Sequence, residues 1–173
     1  MQAKTGDIAF NITKHLEFID AAIKLKMDFI AFPELSITGY EPTLAESLAM
    51  YEDDQRLSSF ASKSEEFNLL IGVGLPLRKD GKLYITQMYF IPEGDYKAYA
   101  KQILHSDEYP FFDSGQEQIL LTHQDDLVAP AICYESLQFS HVNEAVARGA
   151  TIYVASVAKE KKVCMWRLNI MPI

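Results

Sequence analysis

Short apolar runs that alternate with amphipathic segments are the feature that most constrains how this chain can fold. The runs are rich in Ile, Val, Leu, Ala and Phe, and each is short enough for a strand. Runs of this kind predict strands that are buried on both faces of a sheet. They occupy residues 28–32, 69–75, 127–132 and 151–156.

The segments between these runs predict helices and one hairpin. Apolar side chains recur at steps of three and four in residues 12–26, and we expect further helices over 53–66 and 139–148. The Asp80-Gly81 pair predicts a tight hairpin, so the strands on either side of it should be antiparallel. Together these patterns predict a mixed α/β fold.

The composition indicates one domain with an acidic surface. The chain has 173 residues, of which 49% are apolar, and a formal net charge of -8. Excess negative charge repels phosphate backbones and anionic headgroups, so nucleic acids and membranes are poor partners. The N-terminal residues are polar, and no apolar run approaches the roughly 18 residues that a membrane span needs. We therefore expect a single domain over residues 1–173 of a cytoplasmic protein.

The cysteines and histidines form neither a disulfide framework nor a metal-binding pattern. Cys133 and Cys164 lie 31 positions apart in a chain without a secretory signal. The four histidines show no metal-ligand spacing, so no metal site is expected. A single cysteine in such a chain is either a small buried apolar residue or a nucleophile.

Three reactive side chains stand where apolar runs or turns end. Glu34 lies in AFPELSITGY, Lys101 in YAKQIL within a strand expected at 96–104, and Cys133 in PAICYES. The ends of strands are where α/β folds place functional groups. Taken singly, a turn cap, a surface lysine and a core cysteine are the simpler explanations of these residues.

Together the three groups form a complete set for covalent catalysis. A carboxylate can remove the proton of a thiol, the sulfur can attack an acyl or nitrile carbon, and a cation can stabilise the resulting oxyanion. The apolar neighbours of Glu34 permit the raised pKa that a base needs near neutral pH.

The three stretches resemble the nitrilase superfamily of carbon-nitrogen hydrolases. They occur in the family's order, with 67 and then 32 positions between the reactive residues. The resemblance covers residues 2–159 and implies an α-β-β-α sandwich. It also implies that Glu34, Lys101 and Cys133 form the family's catalytic triad.

The resemblance further implies a reaction and a substrate class. Glu34 would take the thiol proton and Cys133 would attack a small amide, carbamoyl compound or nitrile. Lys101, with a backbone N–H near Tyr134, would stabilise the oxyanion. Water would then hydrolyse the thioester without a metal or an organic cofactor.

Supporting residues follow from the same resemblance. Many family members hold a second glutamate beside the lysine, and Glu108 is the candidate here, with the adjacent Asp107 as the alternative. Tyr40 is expected to line the pocket. Pro33 and Gly39 would end the strand and permit the turn that directs Glu34 inwards.

Two departures from the family pattern lead us to expect an incomplete fold. The chain begins at QAKTGD, where relatives have already finished a first strand, so the first strand is expected to be missing. The resemblance is lost after GATIYVASVAK, which makes residues 160–173 an atypical tail and removes the C-terminal part of the fold. Unfinished sheets favour association, so a homo-oligomer is possible. The alternative function is a catalytically silent fragment that acts, if at all, as an association module.

Overall fold

The computed structural model describes residues 1–158 and 164–167, which form two four-stranded sheets and the helices packed on them. The α-helices are α1 (Ile8–Lys24), α2 (Ala45–Leu48), α3 (Ser58–Phe67) and α4 (Phe139–Ala147). The strands are β1 (Phe29–Ala31), β2 (Leu70–Lys79), β3 (Lys82–Ile91), β4 (Asp95–Ala100), β5 (Leu121–His123), β6 (Asp126–Ile132), β7 (Ile152–Ser156) and β8 (Cys164–Arg167).

The helices predicted from periodicity are present, with shifted ends. α1 begins earlier than expected because the side chain of Asp7 caps it, accepting a hydrogen bond from the Phe10 N–H at 3.2 Å. The helix expected over 53–66 is divided into a short 3₁₀ turn, Gln55–Leu57, and α3. The difference arises because Asp54 caps the 3₁₀ turn first, through the N–H of Arg56.

The first sheet has the strand order β1-β2-β3-β4, in which β1 is parallel to β2 and the other pairs are antiparallel. The hairpin predicted at Asp80-Gly81 joins β2 to β3, and both residues have positive φ, 50° and 75°. The strand expected over 96–104 ends at Ala100, so Lys101 lies just beyond β4 rather than within it.

The second sheet has the order β5-β6-β7-β8, in which β6 and β7 are parallel. β8 pairs antiparallel with β7, from Ile152 opposite Arg167 to Ala155 opposite Cys164. Part of the expected atypical tail is therefore a strand of this sheet, and the rest of 160–173 lies outside the described residues.

Two apolar clusters lie on either side of the first sheet. On its outer face, Ile19 of α1 and Phe60 of α3 pack with Ile71 and Val73 of β2. On its inner face, residues of both sheets form a shared core, namely Leu70, Ile85, Tyr89 and Tyr99 from the first sheet with Leu121, Val128, Ile132 and Val154 from the second. The two sheets are therefore stacked directly on one another.

A third cluster covers the outer face of the second sheet. Ala145 of α4 packs with Ala129 and Ala131 of β6 and with Tyr153 of β7. Alternate residues of β6 thus face α4 and the first sheet, as the period of a strand requires. The layers are helix, sheet, sheet and helix, which confirms the predicted α-β-β-α sandwich. Within the described part of the chain, no helix combines the length and apolar character that a bilayer crossing requires.

Candidate active site

Glu34 lies in a tight turn that follows β1 and is held against β2. The turn is closed by hydrogen bonds from the Thr38 and Gly39 N–H groups to the carbonyl of Leu35, at 3.1 and 2.7 Å. Leu35 has a φ of 49° and Gly39 a φ of 80°, so the chain reverses through two left-handed residues. Glu34 is buried, with only 2% of the surface of the whole residue exposed.

Gly74 of β2 allows this turn to approach the sheet. Its carbonyl accepts a hydrogen bond from the Ile37 N–H at 2.9 Å, and its own N–H donates to Ser36 Oγ at 3.2 Å. A Cβ atom at this position would lie 2.4 Å from the carbonyl oxygen of Pro33 and 2.5 Å from the nitrogen of Leu35. Glycine is required here because the backbone on both sides of Glu34 occupies the space of a side chain.

Lys101 follows β4 and points into the same buried region. Its N–H donates to the carbonyl of Ile85 at 2.8 Å, and its carbonyl accepts from the N–H of Gly115 at 2.7 Å. The side chain is fully buried, and Nζ lies 2.7 Å from Oε1 of Glu34 and 2.7 Å from Oε1 of Glu108. One ammonium group is thus shared by two buried carboxylates.

Of the two candidate supporting carboxylates, the structure brings Glu108 to Lys101. Oε1 of Glu108 also accepts a hydrogen bond from the Tyr40 hydroxyl at 2.9 Å, and Oε2 accepts from the His105 N–H at 2.7 Å. Asp107 is exposed and pairs with the ring of His105 instead. Tyr40, although part of its surface is exposed, is therefore joined to the Glu108 carboxylate.

Cys133 directly follows β6 and is the first residue of a short 3₁₀ helix, Cys133–Leu137. Its φ of 48° is in the left-handed region, which costs a residue with a side chain of this kind roughly 1–2 kcal/mol. The thiol is half-buried, as is the adjacent Tyr134, whose ring packs edge-on against His105 at 5.4 Å. The thiol lies close enough to Glu34 for each group to affect the pKa of the other.

Burial and the charges of Glu34, Lys101 and Glu108 set the protonation states of the site. Burial raises the pKa of Glu34, although the charge of Lys101 opposes the shift. Burial acts to lower the pKa of Lys101, but the two carboxylates outweigh it and raise that pKa. Burial and the negative charge of Glu34 raise the pKa of the Cys133 thiol to about 11. At neutral pH the thiol is therefore protonated and the lysine is charged.

One carboxylate oxygen of Glu34 accepts a hydrogen bond, and the other is free to receive a proton. Oε1 accepts from Lys101, whereas Oε2 is buried without a hydrogen-bond partner among residues 1–158. The thiol of Cys133 interacts with this carboxylate and affects its pKa. A carboxylate with a raised pKa and an unsatisfied oxygen near a neutral thiol can act as a general base.

The structure brings together all three triad residues of the sequence prediction, together with Glu108 and Tyr40. It also shows Glu135, which we did not single out from the sequence and which is completely buried beside Cys133. Glu135 lies three residues after the end of β6, where a glutamate can cap the start of a helix. That position was the signal in the sequence from which Glu135 could have been identified. In the part of the chain that the structure describes, no three His, Cys, Asp or Glu side chains are grouped so that they could hold a metal ion.

The resemblance noted in the sequence implied an α-β-β-α sandwich in which a cysteine, a lysine and two glutamates meet. The structure has this arrangement. The sequence model of the carbon-nitrogen hydrolase family matches residues 1–171, and the chain belongs to this family. The resemblance to the nitrilase superfamily is confirmed.

Two curated relatives are similar over most of this chain. The glutamine-dependent NAD(+) synthetase of Aquifex aeolicus (strain VF5) is 27% identical over 142 residues, which are 74% of this chain and 23% of that protein. The cyanide hydratase of Microdochium sorghi is 24% identical over 163 residues, which are 84% of this chain and 44% of that protein. The chain thus spans less than half the length of either relative.

Solved structures show the same fold at low sequence identity. The glutamine-dependent NAD+ synthetase of Acinetobacter baumannii matches 94% of this chain and 32% of that chain, with a TM-score of 0.80 and 18% identity. An amidase from Nesterenkonia sp. AN1, with acrylamide added at its active site cysteine, matches 90% of this chain and 63% of that chain, with a TM-score of 0.78 and 20% identity.

Proposed function

We propose that this chain hydrolyses a non-peptide C–N bond in a small amide, carbamoyl compound or nitrile through a thioester on Cys133. The observation that carries the proposal is the position of Lys101 Nζ, 2.7 Å from both Glu34 and Glu108, in a buried site that the Cys133 thiol shares. Membership of the carbon-nitrogen hydrolase family supports the same class of reaction. An amide is the first substrate to test because an amidase is among the similar structures.

The first half of the reaction forms the thioester. Glu34 takes the proton of the thiol as the sulfur of Cys133 bonds to the carbonyl carbon, and the carbonyl oxygen becomes an oxyanion. Lys101 and the backbone N–H of Tyr134 donate hydrogen bonds to that oxyanion. When the tetrahedral intermediate collapses, the C–N bond breaks and Glu34 returns the proton to the leaving ammonia or amine.

The second half releases the acid. Water attacks the thioester carbon while Glu34 takes one of its protons, and a second tetrahedral oxyanion forms against the same donors. Collapse breaks the C–S bond, and the proton on Glu34 returns to the sulfur. With an amide, the products are the free carboxylic acid and the regenerated thiol, so atoms and charges balance with water as the only co-reactant. A nitrile would first form a thioimidate and consume one further water to lose ammonia and give the same thioester, whereas a carbamoyl compound would release a carbamic acid instead of a carboxylic acid.

A raised thiol pKa fits this mechanism because the proton leaves the sulfur only during attack. In the resting site the thiol is neutral and the pKa of Glu34 is raised, so the transfer between them is less uphill than transfer to an ordinary carboxylate. Glu108 accepts a second hydrogen bond from the ammonium of Lys101, and the hydroxyl of Tyr40 donates to Glu108. We assign these two residues to support rather than to bond making.

The test is a panel of small amides, carbamoyl compounds and nitriles assayed for ammonia release. We expect Cys133→Ala to abolish turnover, and Cys164→Ala, the matched control for the other cysteine of the sequence, to retain it. Glu34→Gln should lower kcat by about 10²–10⁴-fold, the usual contribution of a general base. An acyl-enzyme trapped by acid quenching should add mass to the peptide that contains Cys133.

The alternative function, a silent association module, gives a different outcome. It is supported by the sheet edges, since within the described residues β1 pairs with β2 alone and β5 with β6 alone. In that case the wild type and Cys133→Ala would release ammonia equally slowly, and light scattering would show concentration-dependent assembly. Equal rates in the two proteins over the whole panel would refute the hydrolase proposal.

A further inference from the structure

Glu135 connects the backbones on either side of the candidate active site. Its side chain is fully buried, and Oε2 accepts a hydrogen bond from the N–H of Ile132 at 2.6 Å. Oε1 accepts from the N–H groups of Gln102 at 2.6 Å and Ile103 at 3.2 Å. Ile132 directly precedes Cys133, and Gln102 directly follows Lys101. One carboxylate therefore holds the peptide groups next to both the nucleophile and the cation.

A chain of hydrogen bonds through two tyrosines and a histidine also holds the carboxylate of Glu135. The hydroxyl of Tyr99 donates to Glu135 at 2.9 Å and lies 2.7 Å from Nε2 of His141. Nδ1 of His141 lies 2.7 Å from the hydroxyl of Tyr153. Burial lowers the pKa of His141, which keeps the ring neutral. A neutral ring with its proton on Nε2 donates to Tyr99 and accepts from Tyr153, so every member of the chain is satisfied.

The members of this network come from both halves of the sandwich. Tyr99 belongs to β4 of the first sheet, whereas Tyr153 belongs to β7 of the second and His141 to α4. Lys101 and Cys133 are divided in the same way, since one follows β4 and the other follows β6. The network thus spans the junction across which these two side chains must meet.

We propose that Glu135 is a positioning residue, which fixes the segment of Lys101 relative to the segment of Cys133 so that the thiol, the ammonium and Glu34 meet at one substrate carbon. This role rests on the proposed hydrolase function. Glu135 touches neither substrate nor the reacting atoms in this scheme, and it acts only through the peptide groups that it binds.

The chemistry of the network requires a carboxylate at this position. The groups directed at Glu135 are three backbone N–H groups and a phenol hydroxyl, which all donate. A glutamine has the same shape, but its amide nitrogen would face donors on one side. Either the segment after Lys101 or the segment before Cys133 would then lose its acceptor, and a buried donor left without a partner moves to find one.

The test compares Glu135→Gln with the wild type by two measurements that should change in opposite directions. We expect kcat for the best substrate of the panel to fall by about 100-fold, the cost of an ångström-scale misplacement, with KM changed by less than about three-fold. Alkylation of Cys133 by iodoacetamide near pH 8, followed by peptide mass spectrometry, should become at least about ten-fold faster. The reason is that the thiol would move away from Glu34, Lys101 and Glu108 into a less buried position, so its pKa would fall from about 11 towards the ordinary value.

Two further variants separate positioning from general stability. Tyr99→Phe removes one of the four donors and leaves the three backbone contacts, so its kcat should lie between those of the wild type and Glu135→Gln. Ser64→Ala is the matched control, because it deletes a buried hydrogen bond to the Phe90 carbonyl far from the site. Ser64→Ala should lower the melting temperature while leaving kcat and the alkylation rate unchanged.

The outcomes distinguish this inference from the proposed function. If the wild type hydrolyses no substrate, the hydrolase proposal fails, but the alkylation measurement needs no substrate and still tests the position of the thiol. If Glu135→Gln melts lower but keeps the wild-type kcat and alkylation rate, Glu135 is a purely structural residue and the inference is overturned. An alkylation rate that is unchanged or reduced in a folded Glu135→Gln overturns it as well.

Discussion

Gly74→Ala should damage the site without changing any residue that carries chemistry. The added Cβ would lie 2.4 Å from the carbonyl oxygen of Pro33, whereas carbon and oxygen atoms normally approach to about 3.3 Å. The turn that carries Glu34 must therefore retreat from β2 by about 1 Å, and a misplacement of that size costs about 10²-fold in rate. The crowding itself should cost about 1–3 kcal/mol of stability.

Gly72→Ala in the same strand is the matched control. Its Cβ would meet the ring of Tyr89 at 2.5 Å, a similar steric conflict, but with a core side chain rather than with the backbone around Glu34. We expect both variants to melt several degrees lower, by about 2–4 °C for each kcal/mol lost. Only Gly74→Ala should also lose about 10²-fold in kcat for amide hydrolysis.

Ammonia release and thermal unfolding followed by circular dichroism give the two quantities for each variant. If Gly74→Ala unfolds earlier but keeps more than about a third of the wild-type kcat, the carboxylate does not depend on the close contact with β2. The same conclusion would follow if the two glycine variants lost equal activity.

Lys101→Met should lower the free energy of unfolding by about 3–5 kcal/mol, because Glu34 and Glu108 would then face each other in a buried site without a cation. Urea denaturation should show a smaller loss in mildly acidic buffer, where one carboxylate can be protonated, and an equal loss at all pH values would contradict this reasoning. Burial lowers the pKa of His15 from 6.5 to about 4, so the unfolded chain binds a proton more readily in that interval and stability should fall by about 3 kcal/mol as the pH drops through it. His15→Gln should remove that part of the pH dependence, measured by urea unfolding between the two pH values, and an identical pH profile in the variant would show that His15 is not its source.

The strand ends and the hairpin could be predicted from the sequence because they depend on local patterns. Apolar runs that stop at a proline or at a polar residue locate Glu34 and Cys133, and the Asp80-Gly81 pair alone specifies the turn between β2 and β3. The outer helices follow in the same way from their apolar stripes. These features involve residues that are neighbours in sequence, so no knowledge of the packed molecule is needed.

The features that escaped prediction depend on contacts between distant segments. Glu135 binds the Gln102 N–H across 33 positions, and nothing in PAICYES indicates that a donor from the segment after β4 will lie there. The choice between Asp107 and Glu108 is made by a turn in which the Glu108 N–H bonds the His105 carbonyl, which directs one carboxylate inwards and the other outwards. Neighbouring acidic residues in an irregular segment carry no periodicity from which their directions could be predicted.

Among the described residues, each sheet ends in a strand that pairs with one neighbour. β1 has only three residues and pairs on one side with β2, and β8 pairs on one side with β7. Association through such edges stays a prediction, and light scattering over a range of concentrations would measure it. The proposed chemistry itself involves side chains that lie within the described sandwich.

Glu34 and Lys101 follow strands of the first sheet, and Cys133 follows a strand of the second. The two sheets are held together by their shared apolar core. The proposed catalysis consequently requires both layers of the sandwich. Hydrostatic pressure or dilute denaturant that separates the two sheets should abolish hydrolysis by Cys133. Each sheet should still give its far-ultraviolet circular dichroism signal. The rate of turnover would then measure the stability of the packing between the two sheets.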